Sequence, residues 1–197
     1  MKITLISAST RSDSQSLKIT NYLEASLKDD ETETEIIDLN VLKLPVYDDS
    51  GEGEWTAQWN EVSKTLDQSD GFVVVSPEWN GMAGPGWFNM LHYVDHEMAH
   101  KPLMIVGVSS GLGGVYPLAD MRLLGSKNNH YVITPESLRI ANVEKMFNDR
   151  LMDESTPDFS VKTRAEYCLN ILVEYAKALK SVRESGVIDL KTFGNGN

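Results

Sequence analysis

Apolar positions in this chain come in short unbroken runs, and amphipathic stretches separate them from the first residues onward. Residues 2–7 (KITLIS) read as a buried strand. The stretch from Ser14 or Gln15 to residue 27 reads as a helix with Leu17, Tyr22, Leu23 and Leu27 available for its inner face. Residues 34–39 predict a second strand, and a loop rich in proline, aspartate and glycine (LPVYDDSGEGE) leads to a helix over 55–68. Residues 71–76 (GFVVVS) are apolar throughout, the pattern of a strand covered by helices on both faces. A glycine-rich loop, SPEWNGMAGPGW, precedes a helix over 86–96. Residues 102–109 predict a fourth strand, SSGLGG separates it from a helix over 115–124, and residues 130–133 predict a fifth. A long helix over 161–185 precedes the polar end GNGN, so residues 1–190 read as a single domain and 191–197 as a disordered tail.

Strands alternating with helices predict an α/β fold with a right-handed, doubly wound parallel sheet. The first βα turn, SASTRSDSQS, has no glycine, which argues against the six-stranded dinucleotide-binding order. The five-stranded flavodoxin-like order, 2-1-3-4-5, fits. Ligands of such sheets bind beyond the carboxyl ends of the strands, so the loops after strands one, three and four are expected to meet at one site.

Composition narrows the function classes. With 41% hydrophobic and 24% charged residues the chain is of ordinary globular type. No run approaches the roughly 20 apolar residues of a membrane span, and the start MKITLIS does not read as a secretory signal. The single cysteine, Cys168, excludes an internal disulfide and fits a cytoplasmic protein. A net charge of −11 argues against nucleic acid or an anionic membrane as partner. Within residues 1–20, however, Lys2, Arg11 and Lys18 face only Asp13, which marks a corner for an anion.

The first loop offers Ser7, Ser9, Thr10, Ser12, Ser14 and Ser16 with Arg11, just ahead of a helix. A phosphate needs such hydroxyls, helix N-terminal N–H groups and a cation, although serines also cap helices without any ligand. In the second loop Gly81, Gly84 and Gly86 can let backbone approach a flat ligand, Asn80 can bond to a heteroaromatic edge, and Trp79 can lie on a ring face. An interface loop with a buried tryptophan is the alternative. The third loop, SSGLGG at 109–114, gains weight from lying at the same edge.

With these segments in view, the sequence resembles the NADPH-dependent FMN reductase family of flavodoxin-like proteins, which includes quinone, azo-dye and chromate reductases. SASTRSDSQS is similar to the family's phosphate loop, S-x-S-x-R-x-x-S-x-S. LPVYDD followed by SDGFVVVSPEWNG resembles its middle section, which ends in P-E-Y-N-G. SSGLGG resembles its glycine loop, and ESLRIANVEKMFN the segment before its last helix. The resemblance implies FMN as cofactor, NADPH or NADH as donor, a quinone-like or other small electron acceptor, and a homodimer or homotetramer. It implies that Ser9, Arg11, Ser14, Gln15 and Ser16 hold the FMN phosphate. Pro77, Glu78, Trp79, Asn80 and Gly81 would line the isoalloxazine edge, and Ser110, Gly111, Gly113 and Gly114 would close the opposite side. No catalytic side chain is implied.

Two departures from the family pattern bear on the pocket: Trp79 stands where the family usually has tyrosine, and Phe88 where many members have lysine. Both are expected to make the entrance bulkier and less polar. A flavodoxin-type electron carrier and a non-catalytic flavin-binding or sensor protein are the alternatives. The T-x-T-G-x-T phosphate loop of carriers, without arginine, is not the one present.

Other constellations carry bland readings. His92 and His96 share a predicted helix face with metal-ligand spacing, but a subunit contact is the expectation, and no metal site is assigned. Cys168 reads as a core thiol on the stripe of Ala165, Leu169, Leu172, Ala176 and Leu179. The acidic residues Asp48, Asp49, Glu52 and Glu54 read as a solvated rim rather than a calcium loop.

Overall fold

The computed structural model describes residues 1–49, 53 and 55–196. β1 (Lys2–Ser7) lies between β2 (Glu33–Asp38) and β3 (Gly71–Trp79), and β5 (Pro102–Val108) lies on the far side of β3, all parallel. The fifth position is filled by two short strands. β6 (Val132–Ile133) pairs with the start of β5, and β7 (Leu138–Ile140) with its end. Counted by position, the order is the expected 2-1-3-4-5.

The break in the fifth strand has a chemical cause. Pro135 lies between the two pieces and cannot donate to the ladder, so the chain leaves the sheet and rejoins it at Leu138. The sequence reading found the first piece, over 130–133, and missed the second.

Strand alternation divides the apolar runs between two cores. Val73 and Val75 face α1 (Gln15–Leu27) and α7 (Phe159–Glu184), packing with Ile19, Leu23, Leu169 and Leu172. Phe72 and Val74 face the opposite way. There α2 (Leu39–Leu42), α3 (Thr56–Gln68), α4 (Pro85–Tyr93) and α5 (Tyr116–Leu123) bury Leu42, Leu66, Trp87 and Met121. Because both faces of β3 are covered, its run is apolar without a break. Cys168 is fully buried in the α7 core, where burial pushes its thiol pKa up.

Several boundaries differ from the expectation. α4 stops at Tyr93 rather than residue 96, because the next residues form a local turn in which the Asp95 N–H donates to Glu97 Oε2 at 2.7 Å. His92 therefore stays on the helix, stacked on Tyr47 at 5.4 Å, while His96 leaves it and lies near His130. Among the described residues no three or more histidine, cysteine, aspartate or glutamate side chains come together as a metal site would need. In the described segment after residue 190 the side chains are mostly exposed, and one backbone group meets the body. The Gly194 carbonyl oxygen is 3.0 Å from His130 Nε2 and 3.3 Å from His96 Nε2. Of the acidic rim, Glu52 and Glu54 lie outside the described residues.

The segment between β7 and α7 is fastened by a buried lysine. Lys162, on the first turns of α7, has its ammonium 3.2 Å from Asp158 Oδ2 and 3.0 Å from Asp149 Oδ1, and it also donates to the Leu151 carbonyl. Its side chain is 1% exposed. Burial alone would push the Asp158 carboxyl up, but the Phe147 N–H and the Lys162 ammonium together hold it below the usual value. Lys162→Met leaves Asp158 buried without its counter-charge. The substitution is expected to cost about 3 kcal/mol, read as a fall in melting temperature of roughly 6–12 °C for a chain of this size. A carboxyl held low contributes stability above its unfolded value and loses it as pH falls through the folded one. Wild type is thus expected to lose stability below about pH 4, and the variant to lose less over that interval in the same thermal scans.

Candidate functional site

β1, β3 and β5 end at one edge in near register, with Ser7 opposite Val75 and Pro77 opposite Val108. The loops that follow them enclose a cleft of about 280 Å³. Of the sequence-predicted residues, Ser9, Arg11, Ser14, Gln15 and Ser16 line it from the first loop, Pro77, Glu78 and Trp79 from the second, and Ser110 from the third. Asp13, Val108, Val143 and Glu144, which the sequence reading did not assign, line it as well.

The first loop turns directly into α1. Ser14 is its N-cap, and its hydroxyl accepts from the N–H of Ser16 at 3.1 Å and of Leu17 at 3.4 Å, worth about 1 kcal/mol. The Arg11 guanidinium lies 4.5 Å from the centre of the Trp79 ring, so the first and second loops touch across the cleft. Gln15 Oε1 is buried with no hydrogen-bond partner, as is Ser7 Oγ at the end of β1. An unpaired buried oxygen costs about 1–3 kcal/mol, and a ligand donor in the cleft would relieve that of Gln15.

The cationic corner expected from composition dissolves in three dimensions. Lys2 pairs with Glu35 at 2.6 Å, and Lys18 donates to the carbonyls of Val143 and Met146 at 2.8 Å each. Those bonds draw the turn at Val143–Lys145 onto α1 and so build the third wall of the cleft. Arg11 is the cation that lines it, against the acids Asp13, Glu78 and Glu144.

The second loop is a hairpin. β3 continues to Trp79 and pairs with β4 (Met82–Ala83), and Asn80 (φ 53°) and Gly81 (φ 72°) form its two-residue turn. Asn-Gly is the sequence such a turn favours, because both residues need positive φ. The other glycines serve close packing instead. A Cβ on Gly84 would lie 3.0 Å from Pro77 Cγ, and one on Gly86 would lie 2.9 Å from Thr10 Cγ2. Gly84 and Gly86 thus seat the start of α4 against the first loop, and neither they nor Gly81 lines the cleft. Ser76 Oγ, which accepts from the Gly84 N–H at 2.9 Å, fixes the same junction.

Glu78 crosses to the third loop. One carboxylate oxygen accepts from the N–H of Gly114 at 2.6 Å and of Tyr116 at 3.3 Å, serving the N-terminus of α5, which lacks a side-chain cap of its own. From the other side Arg139, on β7, donates through Nε to the Gly113 carbonyl at 2.8 Å and through Nη2 to the Leu112 carbonyl. Gly111, Gly113 and Gly114 therefore shape the loop rather than line the cleft. Phe88 does not reach the entrance either. It packs against the α3–α4–α5 core and borders a separate groove with Leu91 and Leu124. Of the two family departures, Trp79 alone borders the cleft.

Residues 1–145 match the family described as NADPH-dependent FMN reductase. An NADPH azoreductase from Bacillus sp. (strain OY1-2) is 25% identical over 123 residues, 61% of this chain and 66% of that one. An FMN-dependent NADPH-azoreductase from Staphylococcus saprophyticus is 26% identical over 129 residues, 63% of this chain and 69% of its own length. The chain thus spans about two thirds of these relatives. A flavoenzyme NAD(P)H:(acceptor) oxidoreductase from Paracoccus denitrificans shares the fold with a TM-score of 0.59 at 19% identity, covering 91% of this chain and 97% of that one. An NADH:FMN oxidoreductase superimposes with a TM-score of 0.65 at 14% identity, over 90% and 89% of the two chains.

Gly107, inside β5, is a site residue that the sequence reading passed over. A Cβ there would run into the carbonyl oxygen of Gly114, so the strand and the third loop meet backbone to backbone. Gly107→Ala is expected to destabilise the fold by about 1–3 kcal/mol and to displace the third loop. Chemical denaturation checks the first effect, and the amide chemical shifts of residues 111–116 check the second.

Proposed function

The chain belongs to the NADPH-dependent FMN reductase family, and from that premise we propose that it binds FMN in the cleft and acts as an NAD(P)H-dependent oxidoreductase on a quinone-like or other small acceptor. The observation that carries this reading is the meeting, in one cleft, of a hydroxyl- and guanidinium-bearing loop at a helix N-terminus with a hairpin and a glycine loop. Bound there, FMN supplies hydride acceptance from NADPH or NADH at its N5 and onward delivery to the acceptor.

The residues present fit that ligand. Ser9, Ser14 and Ser16 offer hydroxyls, the first turn of α1 offers N–H groups and dipole, and Arg11 offers the cation that a phosphate takes. The unpaired buried oxygen of Gln15 is an acceptor and would take a ribityl hydroxyl of the ligand rather than its phosphate. Pro77, Glu78, Trp79 and Ser110 border the end of the cleft suited to the flat ring, while Asn80, Gly81, Gly111, Gly113 and Gly114 set the shape of the two loops that present it. No side chain is assigned as general base, since hydride transfer to a flavin needs none.

The same reading makes the working form a homodimer or homotetramer in the cytoplasm. Exposed apolar side chains on the loops around the site, Met82, Leu112 and Tyr116, support a subunit contact there, and light scattering of the purified protein decides it. The direct test of function is the visible spectrum of protein reconstituted with FMN, before and after anaerobic NADPH or NADH. Bleaching is expected, and flavin that stays oxidised with both donors would favour the carrier or sensor instead. Arg11→Gln removes a charge-assisted hydrogen bond worth about 1.5–3 kcal/mol, so FMN affinity is expected to fall about 10- to 100-fold while riboflavin affinity is kept. Fluorescence titration of the apoprotein with both flavins checks this, and equal losses for the two would remove Arg11 from the phosphate.

A further inference from the structure

One peptide group in the third loop is gripped at both ends. Its carbonyl, from Gly113, accepts from Arg139 Nε at 2.8 Å, and its N–H, from Gly114, donates to Glu78 Oε2 at 2.6 Å. The two side chains come from different strands, β7 and β3, and carry opposite charges. A trans peptide directs its C=O and N–H in opposite senses, and among the described residues no peptide is cis. The guanidinium and the carboxylate therefore pull on one rigid plane from opposite sides.

The neighbouring plane follows. The Leu112 carbonyl is also bound to Arg139, so the Gly113 N–H must point away from Arg139, toward the side on which Glu78 borders the cleft. Among the described residues that N–H has no hydrogen-bond partner. A Cβ at Gly113 would meet the Glu78 carboxylate, so a side chain there would have to push the acid off its bonds to Gly114 and Tyr116. The glycine at 113 thus leaves the acid room to hold the peptide beside it.

We propose that Glu78 and Arg139 are a pair of positioning residues that clamp the Gly113–Gly114 peptide, turn the Gly113 N–H to the Glu78 side of the third loop, and so hold that loop, whose Ser110 lines the cleft, in the shape that receives the bound flavin. The inference rests on the flavin reading above and adds to it a role for two side chains that act through backbone. Glu78 also sets a negative charge beside the ring, which opposes the anionic reduced flavin. Its charge and its clamping are separable: Glu78→Gln keeps an oxygen acceptor and removes the charge, whereas Glu78→Ala removes both.

The experiment uses the full chain. FMN affinity is measured by fluorescence quenching, flavin midpoint potential by equilibrium with a reference dye, and exchange of the Gly114 and Tyr116 amides by NMR on the apoprotein. Glu78→Ala and Arg139→Gln are each expected to weaken FMN at least 10-fold and to speed exchange of the Gly114 amide. The double variant is expected to be no weaker than the worse single, because both act on one peptide. Glu78→Gln is expected to hold FMN within a few-fold of wild type and to raise the midpoint potential, a change that a merely structural acid would not produce. Wild-type FMN affinity in both clamp variants, or strictly additive losses, overturns the proposal while leaving the flavin reading intact. Failure of wild type itself to bind FMN overturns the flavin reading, and this inference with it.

Discussion

The parallel pairing of β1, β3 and β5 is the constraint on which the rest of the molecule depends. It ends three strands at one level and delivers three unrelated loops to one cleft. A parallel sheet needs helices on both faces, and here they supply two apolar cores of comparable extent. The loops can then be irregular and polar, since the sheet beneath them is held by burial. Glycine enters where the loops touch the sheet or one another: Gly107 under Gly114, Gly84 against Pro77, and Gly86 against Thr10.

Cations hold this edge together, mostly by binding backbone. Lys18 collects the carbonyls of Val143 and Met146, Arg139 those of Leu112 and Gly113, and Arg122 that of Pro135 at 2.9 Å. Apart from Val143, whose carbonyl also accepts from the Met146 N–H, each of these carbonyls belongs to a segment outside regular strand or helix, where the backbone has no ladder to satisfy it. In a chain of net charge −11, positive side chains are scarce, and most of those near the cleft serve as structural pins. Arg11 is different. It lies on an aromatic face, an arrangement weak enough for a phosphate to displace or share.

Much of this was legible beforehand, and the misses are instructive. The apolar runs of β1, β3 and β5, the order of the sheet and the convergence of three loops follow from local pattern together with the geometry of parallel sheets. The serine-rich loop was readable because hydroxyls and an arginine before a helix have a known chemical use. The second half of the fifth strand was hidden by Pro135. The end of α4 was set by an acidic turn that periodicity does not register.

The sequence by itself thus determined the elements, their order and the chemical character of the three loops, because hydrophobic period and turn chemistry are local properties. Tertiary structure alone decided what individual polar residues do. Glu78, which borders the cleft, also holds the third loop; Lys18, counted toward an anion corner, holds the Val143–Lys145 turn; and Phe88, expected at the entrance, lies elsewhere. A long polar side chain can reach several partners, and which of them lies within hydrogen-bond distance is fixed by residues remote in sequence, through packing that no local pattern records.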